Sequence, residues 1–65
     1  MKSYSSREII QKMKKNGWYE VRCIGDHHQF RHPAIPGLAT VTHPVKDMPA
    51  GILKRLQQQT GISFS

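Results

Sequence analysis

Three of the four histidines of the chain lie in the stretch GDHHQFRHP, from Gly25 to Pro33. Histidine is a common metal ligand, and it is also the side chain that titrates near neutral pH without special help. The sequence has a single cysteine, Cys23, a short distance before these histidines. The residue types therefore raise two questions, whether the stretch holds a metal ion and whether it carries acid–base catalysis.

The spacing of the histidines argues against a shared metal ion if the stretch forms a β-strand. Adjacent strand residues point to opposite faces, so His27 and His28 cannot hold the same ion. His28 and His32 share a face, but about 13 Å of strand separates them, against a metal–nitrogen distance of roughly 2 Å. The lone Cys23 adds no second ligand type. The sequence therefore predicts neither a metal site nor a cofactor.

The same alternation distributes the histidines between two roles. Phe30 is the residue of the stretch that should face the core, which places His28 and His32 on the covered side of the strand or at its margin. The open face then carries His27, Gln29 and Arg31. His27 is thus the candidate for general acid–base chemistry, although an exposed histidine beside basic residues is more often a solvated group or a phosphate contact.

A helix comes first among the elements that would position this stretch. Ser5 and Glu8 have the spacing of a capping box, and Tyr4 and Ile9 can form the accompanying hydrophobic staple. An apolar stripe at helical spacing follows. Gly17 is expected to end the helix as its left-handed residue.

Three strands and a second helix follow. The hydrophobic period changes to two, and the predicted strands are WYEVRCI (18–24), HHQFRH (27–32) and LATVTH (38–43). Pro49 suits the first turn of a last helix, and Gly61 suits its end. The predicted fold is α+β, in the order helix, three antiparallel strands, helix, with both helices covering one face of the sheet.

Alternation along the first strand assigns its side chains as well. Tyr19, Val21 and Cys23 should share one face, and Glu20 and Arg22 the other. Cys23 is then a small core residue, whereas Arg22 and Glu20 join His27 on the open face, where Glu20 could assist it. Trp18 is expected to be a core or sheet-edge anchor.

Composition limits the class of protein. Sixty-five residues predict one domain, 1–65. Ten Lys and Arg against four Asp and Glu give a net charge of +6, which favours a polyanionic partner, either nucleic acid or an acidic protein. The unpaired cysteine favours a reducing compartment. Because no apolar run approaches the roughly 20 residues of a membrane span and no signal peptide is visible, we expect a cytoplasmic protein with no membrane partner.

The runs REIIQKMKKNGWYEVRCIGDHHQFRHP and TVTHPVKDMPAGILKRLQQQTGI together resemble the HicA family of toxin mRNA interferases. Members typically show a Gly-Trp, a Gly-Ser-His, a short His-Pro and a final Asp-Leu-Pro-x-Gly-Thr-Leu-Lys pattern. The resemblance implies a fold like the double-stranded RNA-binding domain and metal-independent cleavage of mRNA. His27 stands at the catalytic histidine of Gly-Ser-His. A HicB-like antitoxin would bind the chain and cover this residue.

Basic and polar residues should then bind the RNA. The expected contacts near His27 are Arg22, Gly25, Gln29 and Arg31. General phosphate attraction is expected from basic residues on the helices and the last loop, which are Lys12, Lys14, Lys15, Lys46, Lys54 and Arg55. The alternative function is a noncatalytic RNA-binding module of the same fold, which would use shape and 2′-hydroxyl contacts without chemistry.

Four positions depart from the family pattern. Asp26 replaces the usual Ser, so a carboxylate lies beside the catalytic histidine, where it can favour the charged imidazole, orient the ring or repel RNA phosphate. Val45 replaces a usual Lys, which slightly weakens the basic surface. Thr42 and Ile52 replace a usual Pro and a usual Thr, and we interpret these two changes as structural.

Overall fold

The computed structural model describes residues 3–64 and has the predicted order of elements. These are α1 (Ser6–Lys15), β1 (Tyr19–Ile24), β2 (His27–Arg31), β3 (Ala39–Thr42) and α2 (Ala50–Thr60). The strands form one antiparallel sheet in the order β1-β2-β3. The predicted α-β-β-β-α fold is confirmed, with strand ends that differ from the prediction by a residue. Within the described range, no helix has the length and hydropathy needed to cross a membrane.

The start of α1 is fixed by the capping box. The Ser5 hydroxyl accepts from the Glu8 backbone N–H at 3.2 Å, and the Ser5 backbone N–H donates to the Glu8 carboxylate at 3.0 Å. Tyr4 and Ile9 are both buried, as the staple requires. After the helix, Gly17 has a φ of +94°, which a residue with a Cβ rarely adopts.

The core lies between the two helices and one face of β2 and β3. Trp18 is 2% exposed and anchors this core, as predicted. The buried apolar side chains are Tyr4, Ile9, Met13, Trp18, Phe30, Ala39, Val41, Met48, Leu53, Leu56, Ile62 and Phe64. Strand β1 contributes none of them, because the helices pack against β3 and not against β1, whose residues are all exposed.

A β-bulge in β1 changes the faces assigned to its side chains. Glu20 pairs with Phe30, but the next pair is Arg22 with Gln29, so Val21 is an extra residue in the ladder. Residues directly opposite each other in an antiparallel pair share a face. Arg22 therefore lies on the open face, as predicted, whereas Glu20 lies on the face of Phe30.

Two expectations about β1 are consequently wrong. Glu20 does not share the face of His27, so it cannot assist that residue. Cys23 pairs with His28 and is exposed, not a core residue, because the helices do not cover β1. The bulge brings Glu20 and Cys23, three positions apart, to the same face of the sheet.

Candidate functional site

His27 opens β2 directly after the turn at Gly25 and Asp26. Gly25 has a φ of +59°, which explains the glycine at this turn. The Asp26 carbonyl accepts from the His43 backbone N–H at 2.8 Å, and His27 itself pairs with Thr42 at the end of β3. The His27 side chain is 60% exposed. The turn is thus held against β3 while the imidazole faces solvent, the orientation predicted for it.

Asp26 lies beside this imidazole. One Asp26 carboxylate oxygen is 3.5 Å from Nε2 of His27, and the two side chains are 62% and 60% exposed. Water competes for both groups at this exposure, so the pair is loose and contributes little to stability.

A cavity of about 500 Å³ lies beside His27, within the range of sites that bind small molecules. Strand β3, the loop after it and the first turns of α2 form its walls. The lining residues are His27, Thr40, Thr42, Val45, Asp47, Met48, Pro49, Ile52 and Arg55. The lining combines apolar residues with two threonines, an aspartate and an arginine, whose guanidinium is the planar, bidentate donor best suited to phosphate.

The loop wall of this cavity is held by the first residue of α1. Ser6 is 1% exposed, and its hydroxyl oxygen accepts from the Val45 backbone N–H at 2.8 Å. The same hydroxyl lies 2.7 Å from Nδ1 of His43, and the Ser6 backbone N–H donates to the Val45 carbonyl at 2.8 Å. Together these bonds fix the position of Val45 relative to the sheet.

Except for Arg55, the predicted RNA-binding residues do not line the cavity. On the open face of the sheet, the Arg22 Nε donates to the Gln29 side-chain oxygen at 3.0 Å, and Arg31 lies opposite Tyr19. Lys12 donates to the Ser63 carbonyl at 3.0 Å. The remaining predicted lysines are exposed elsewhere: Lys14, Lys15, Lys46 and Lys54.

Among the described residues, Arg55 lines the cavity together with Thr40 and Thr42. Arg55 was expected only as a source of general phosphate attraction, and the predicted contacts did not include the two threonines. A sequence signal did exist for the threonines. They alternate with the buried Ala39 and Val41, so they must lie on the opposite face, where Thr42 pairs with His27. The position of Arg55 depends on how α2 packs beside β3, which no local pattern encodes.

His32 has a structural role. Its Nδ1 accepts from the backbone N–H groups of Ala34 and Ile35 at 3.0 and 3.2 Å, so Nε2 carries the proton and donates to the Asn16 carbonyl at 2.8 Å. The ring also packs against Trp18, with centroids 5.2 Å apart. Both ring nitrogens are thereby occupied, and His32 is unavailable for catalysis.

The third histidine of the stretch, His28, belongs to a separate cluster. Its Nδ1 is 3.0 Å from the Glu20 carboxylate, and its Nε2 is 3.6 Å from Sγ of Cys23. One potential ligand atom from each of the three residues lies within 4.8 Å of the other two. The sequence analysis expected no second ligand type from Cys23. It did not predict this cluster, because the cluster depends on the β-bulge in β1.

The fold and this site were compared with known proteins. No curated protein matches the chain. A solved structure titled "HicA3 and HicB3 toxin-antitoxin complex" contains a chain that is 27% identical, with a TM-score of 0.84; the alignment covers 95% of the present chain and 100% of that chain. A family model described as the HicA toxin of bacterial toxin-antitoxin matches residues 6–62. Because this match spans far more than half of the sequence, the chain belongs to the HicA toxin family of bacterial toxin–antitoxin systems.

Proposed function

We propose that this toxin is an endoribonuclease that cleaves mRNA without a metal ion and uses His27 as its catalytic residue. The observation that carries the proposal is the exposed His27 imidazole at a cavity that Arg55 also lines. Membership of the HicA toxin family supports the same function.

The chemistry requires a group that exchanges protons near neutral pH beside a group that binds phosphate. His27 removes the proton of a ribose 2′-hydroxyl, whose oxygen then bonds to the neighbouring phosphorus. The bond between phosphorus and the 5′ oxygen breaks, and that oxygen takes a proton from water. General base catalysis of this kind is worth about 10² to 10⁴ in rate, and Arg55 offsets the charge that develops on the phosphate.

The cavity would hold the nucleotide that flanks the scissile phosphate. Met48 and Ile52 offer apolar contact to the face of a base, and Thr40 and Thr42 offer hydroxyls that both donate and accept hydrogen bonds. Such contacts suit an unpaired base, because a base within a duplex cannot enter a cavity. The substrate is therefore single-stranded RNA.

A wider basic surface would attract the RNA backbone. The open face supplies Arg22, Gln29 and Arg31, and the turn before β2 supplies the backbone of Gly25. The surface beyond them supplies four lysines, which are Lys12, Lys15, Lys46 and Lys54. Contacts to phosphate release counterions, so the affinity should fall steeply as salt increases. We therefore expect this protein to act in the cytoplasm, where it would meet mRNA.

An antitoxin of the HicB type is the proposed protein partner. Two observations support it: the similar chain comes from a structure titled as a HicA3 and HicB3 complex, and the present chain carries a net charge of +6. Complementary charge accelerates association and disfavours wrong partners. Bound over His27, the antitoxin would exclude RNA from the cavity.

Replacement of His27 by Ala tests the catalytic role. We expect cleavage of single-stranded RNA to fall by about 10² to 10⁴ while RNA binding and the thermal midpoint are retained. Ile24→Ala is the matched control, since Ile24 pairs with His27 and is 58% exposed but has no proton to exchange. Undiminished cleavage by the His27 variant would remove the catalytic assignment. Binding without cleavage by the parent protein would favour the noncatalytic RNA-binding module.

The metal independence of the reaction is a separate measurement. Cleavage by the parent protein should be unchanged in excess EDTA, because His27 and Arg55 supply the proton transfer and the phosphate charge compensation. A loss of cleavage that added Mg²⁺ restores would show that an ion takes part in the reaction.

A further inference from the structure

We propose that Cys23 and His28 bind Zn²⁺ directly and that Glu20 orients His28 for this role. The site goes beyond the proposed ribonuclease function, because none of the three residues lines the cavity beside His27. Thiolate and imidazole are the two side-chain ligands that zinc binds most often in proteins.

The distance between the two ligand atoms fits a tetrahedral zinc ion. Zinc–sulfur and zinc–nitrogen bonds of about 2.3 and 2.0–2.1 Å place the two ligand atoms about 3.6 Å apart at a tetrahedral angle. In the structure, Sγ of Cys23 and Nε2 of His28 are 3.6 Å apart. The ion can therefore bind both atoms without a rearrangement of the two strands.

Glu20 fixes the imidazole in the form that binds zinc. An ionised carboxylate only accepts hydrogen bonds, so the contact of 3.0 Å requires Nδ1 of His28 to donate. In the neutral ring, Nε2 then has its lone pair free and directed toward Cys23. A carboxylate on the far nitrogen of a metal-binding histidine is a common arrangement that raises metal affinity.

The bulge at Val21 is the backbone feature that builds the site. In a regular strand, Glu20 and Cys23 would lie on opposite faces, because three positions separate them. The extra residue instead places them opposite Phe30 and His28, on one face. Exposure of Cys23 and partial exposure of His28 leave the site open to an entering ion, with the remaining coordination positions available to water.

Titration of the reduced protein with Co²⁺, followed by competition with Zn²⁺, tests the proposal. We expect one equivalent of Co²⁺ to produce a thiolate-to-cobalt charge-transfer band that Zn²⁺ abolishes. Cys23→Ser should abolish the band, and Glu20→Ala should weaken Zn²⁺ binding about 10- to 100-fold. His27→Ala is the matched control, because it removes the neighbouring histidine on the other face and should leave the band unchanged.

Thermal unfolding gives a second readout that does not depend on cobalt. Zn²⁺ should raise the thermal midpoint of the parent and of His27→Ala but not that of Cys23→Ser, since an ion bound only by the folded state stabilises it. The absence of a charge-transfer band in the parent protein, or Zn²⁺ affinity weaker than millimolar in the parent, would overturn the proposal. Both variants change exposed side chains, so a failure to fold is not expected to obscure the result.

Discussion

The hydroxyl of Ser6 lies 2.7 Å from Nδ1 of His43, and this contact joins the first turn of α1 to the residue that follows β3. Because that hydroxyl also accepts from the Val45 backbone N–H, one buried oxygen fixes the loop that forms a wall of the candidate site. The loop continues to Met48, whose backbone N–H donates to the Tyr4 carbonyl at 2.8 Å. The segment around the start of α1 therefore determines the shape of the cavity beside His27.

Replacement of Ser6 by Ala should destabilise the protein by about 1–3 kcal/mol, because it leaves the partly buried Val45 N–H without its acceptor. Chemical denaturation measures this change in the free energy of unfolding. Ser3→Ala is the matched control, since the Ser3 hydroxyl donates to Asp47 in an exposed position and its loss should stay within about 0.5 kcal/mol. Equal effects of the two substitutions would contradict the structural role of Ser6.

Replacement of Gly17 by Ala should destabilise the fold by more than about 1 kcal/mol. Gly17 has a φ of +94°, and a Cβ at this position would lie 2.8 Å from Nε2 of His32. Gly51→Ala provides the contrast, because Gly51 lies in α2 and a Cβ there would meet no atom within 4 Å. That substitution should stabilise the protein by about 0.4–1 kcal/mol. The measurement is the unfolding free energy of each variant, and a stabilising Gly17→Ala would refute the conformational argument.

The structural features that depend only on neighbouring residues could be predicted from the sequence. The capping box of Ser5 and Glu8 and the left-handed Gly17 are local features, and each was found where expected. The regular alternation of strand side chains between two faces correctly predicted the faces of β2, where Phe30 is buried and His27 is exposed. These features follow from hydrogen bonding and periodicity within a few residues of chain.

Features that depend on distant contacts were not predictable in this way. The bulge at Val21 depends on the register between two strands, and no glycine marks it within YEVRCI, so the positions of Glu20 and Cys23 were assigned wrongly. Ser6 and His43 are separated by 37 positions, and neither residue identifies the other as its partner. The cavity has the same origin, because Arg55 reaches it only through the packing of α2.

Replacement of Arg55 by Ala tests whether this residue of the cavity binds the RNA phosphate. A hydrogen bond between a charged donor and phosphate is worth about 1.5 kcal/mol or more, so kcat/KM for RNA cleavage should fall by about tenfold or more. Arg7→Ala is the matched control, because Arg7 is an exposed arginine of α1 that does not line the cavity. Both variants lose one positive charge. A similar small decrease of kcat/KM in the two variants would therefore indicate a general attraction for RNA and contradict a specific contact of Arg55.

Replacement of Asp26 by Ser restores the residue that the family pattern usually has and should improve RNA binding. The Asp26 carboxylate is 3.5 Å from Nε2 of His27 and 62% exposed, so its attraction for the imidazole is weak, while any phosphate bound at His27 must approach a negative charge. Removal of a repulsion between exposed charges is worth about 1 kcal/mol or less, so KM should fall by roughly two- to fivefold with kcat little changed.

Asp26→Asn keeps the shape of the side chain and removes only its charge, so it should produce the same decrease of KM. The fold should be unaffected in both variants, because the bond from His43 reaches the Asp26 backbone carbonyl. A large loss of kcat in both variants would instead show that the carboxylate positions the imidazole for proton transfer.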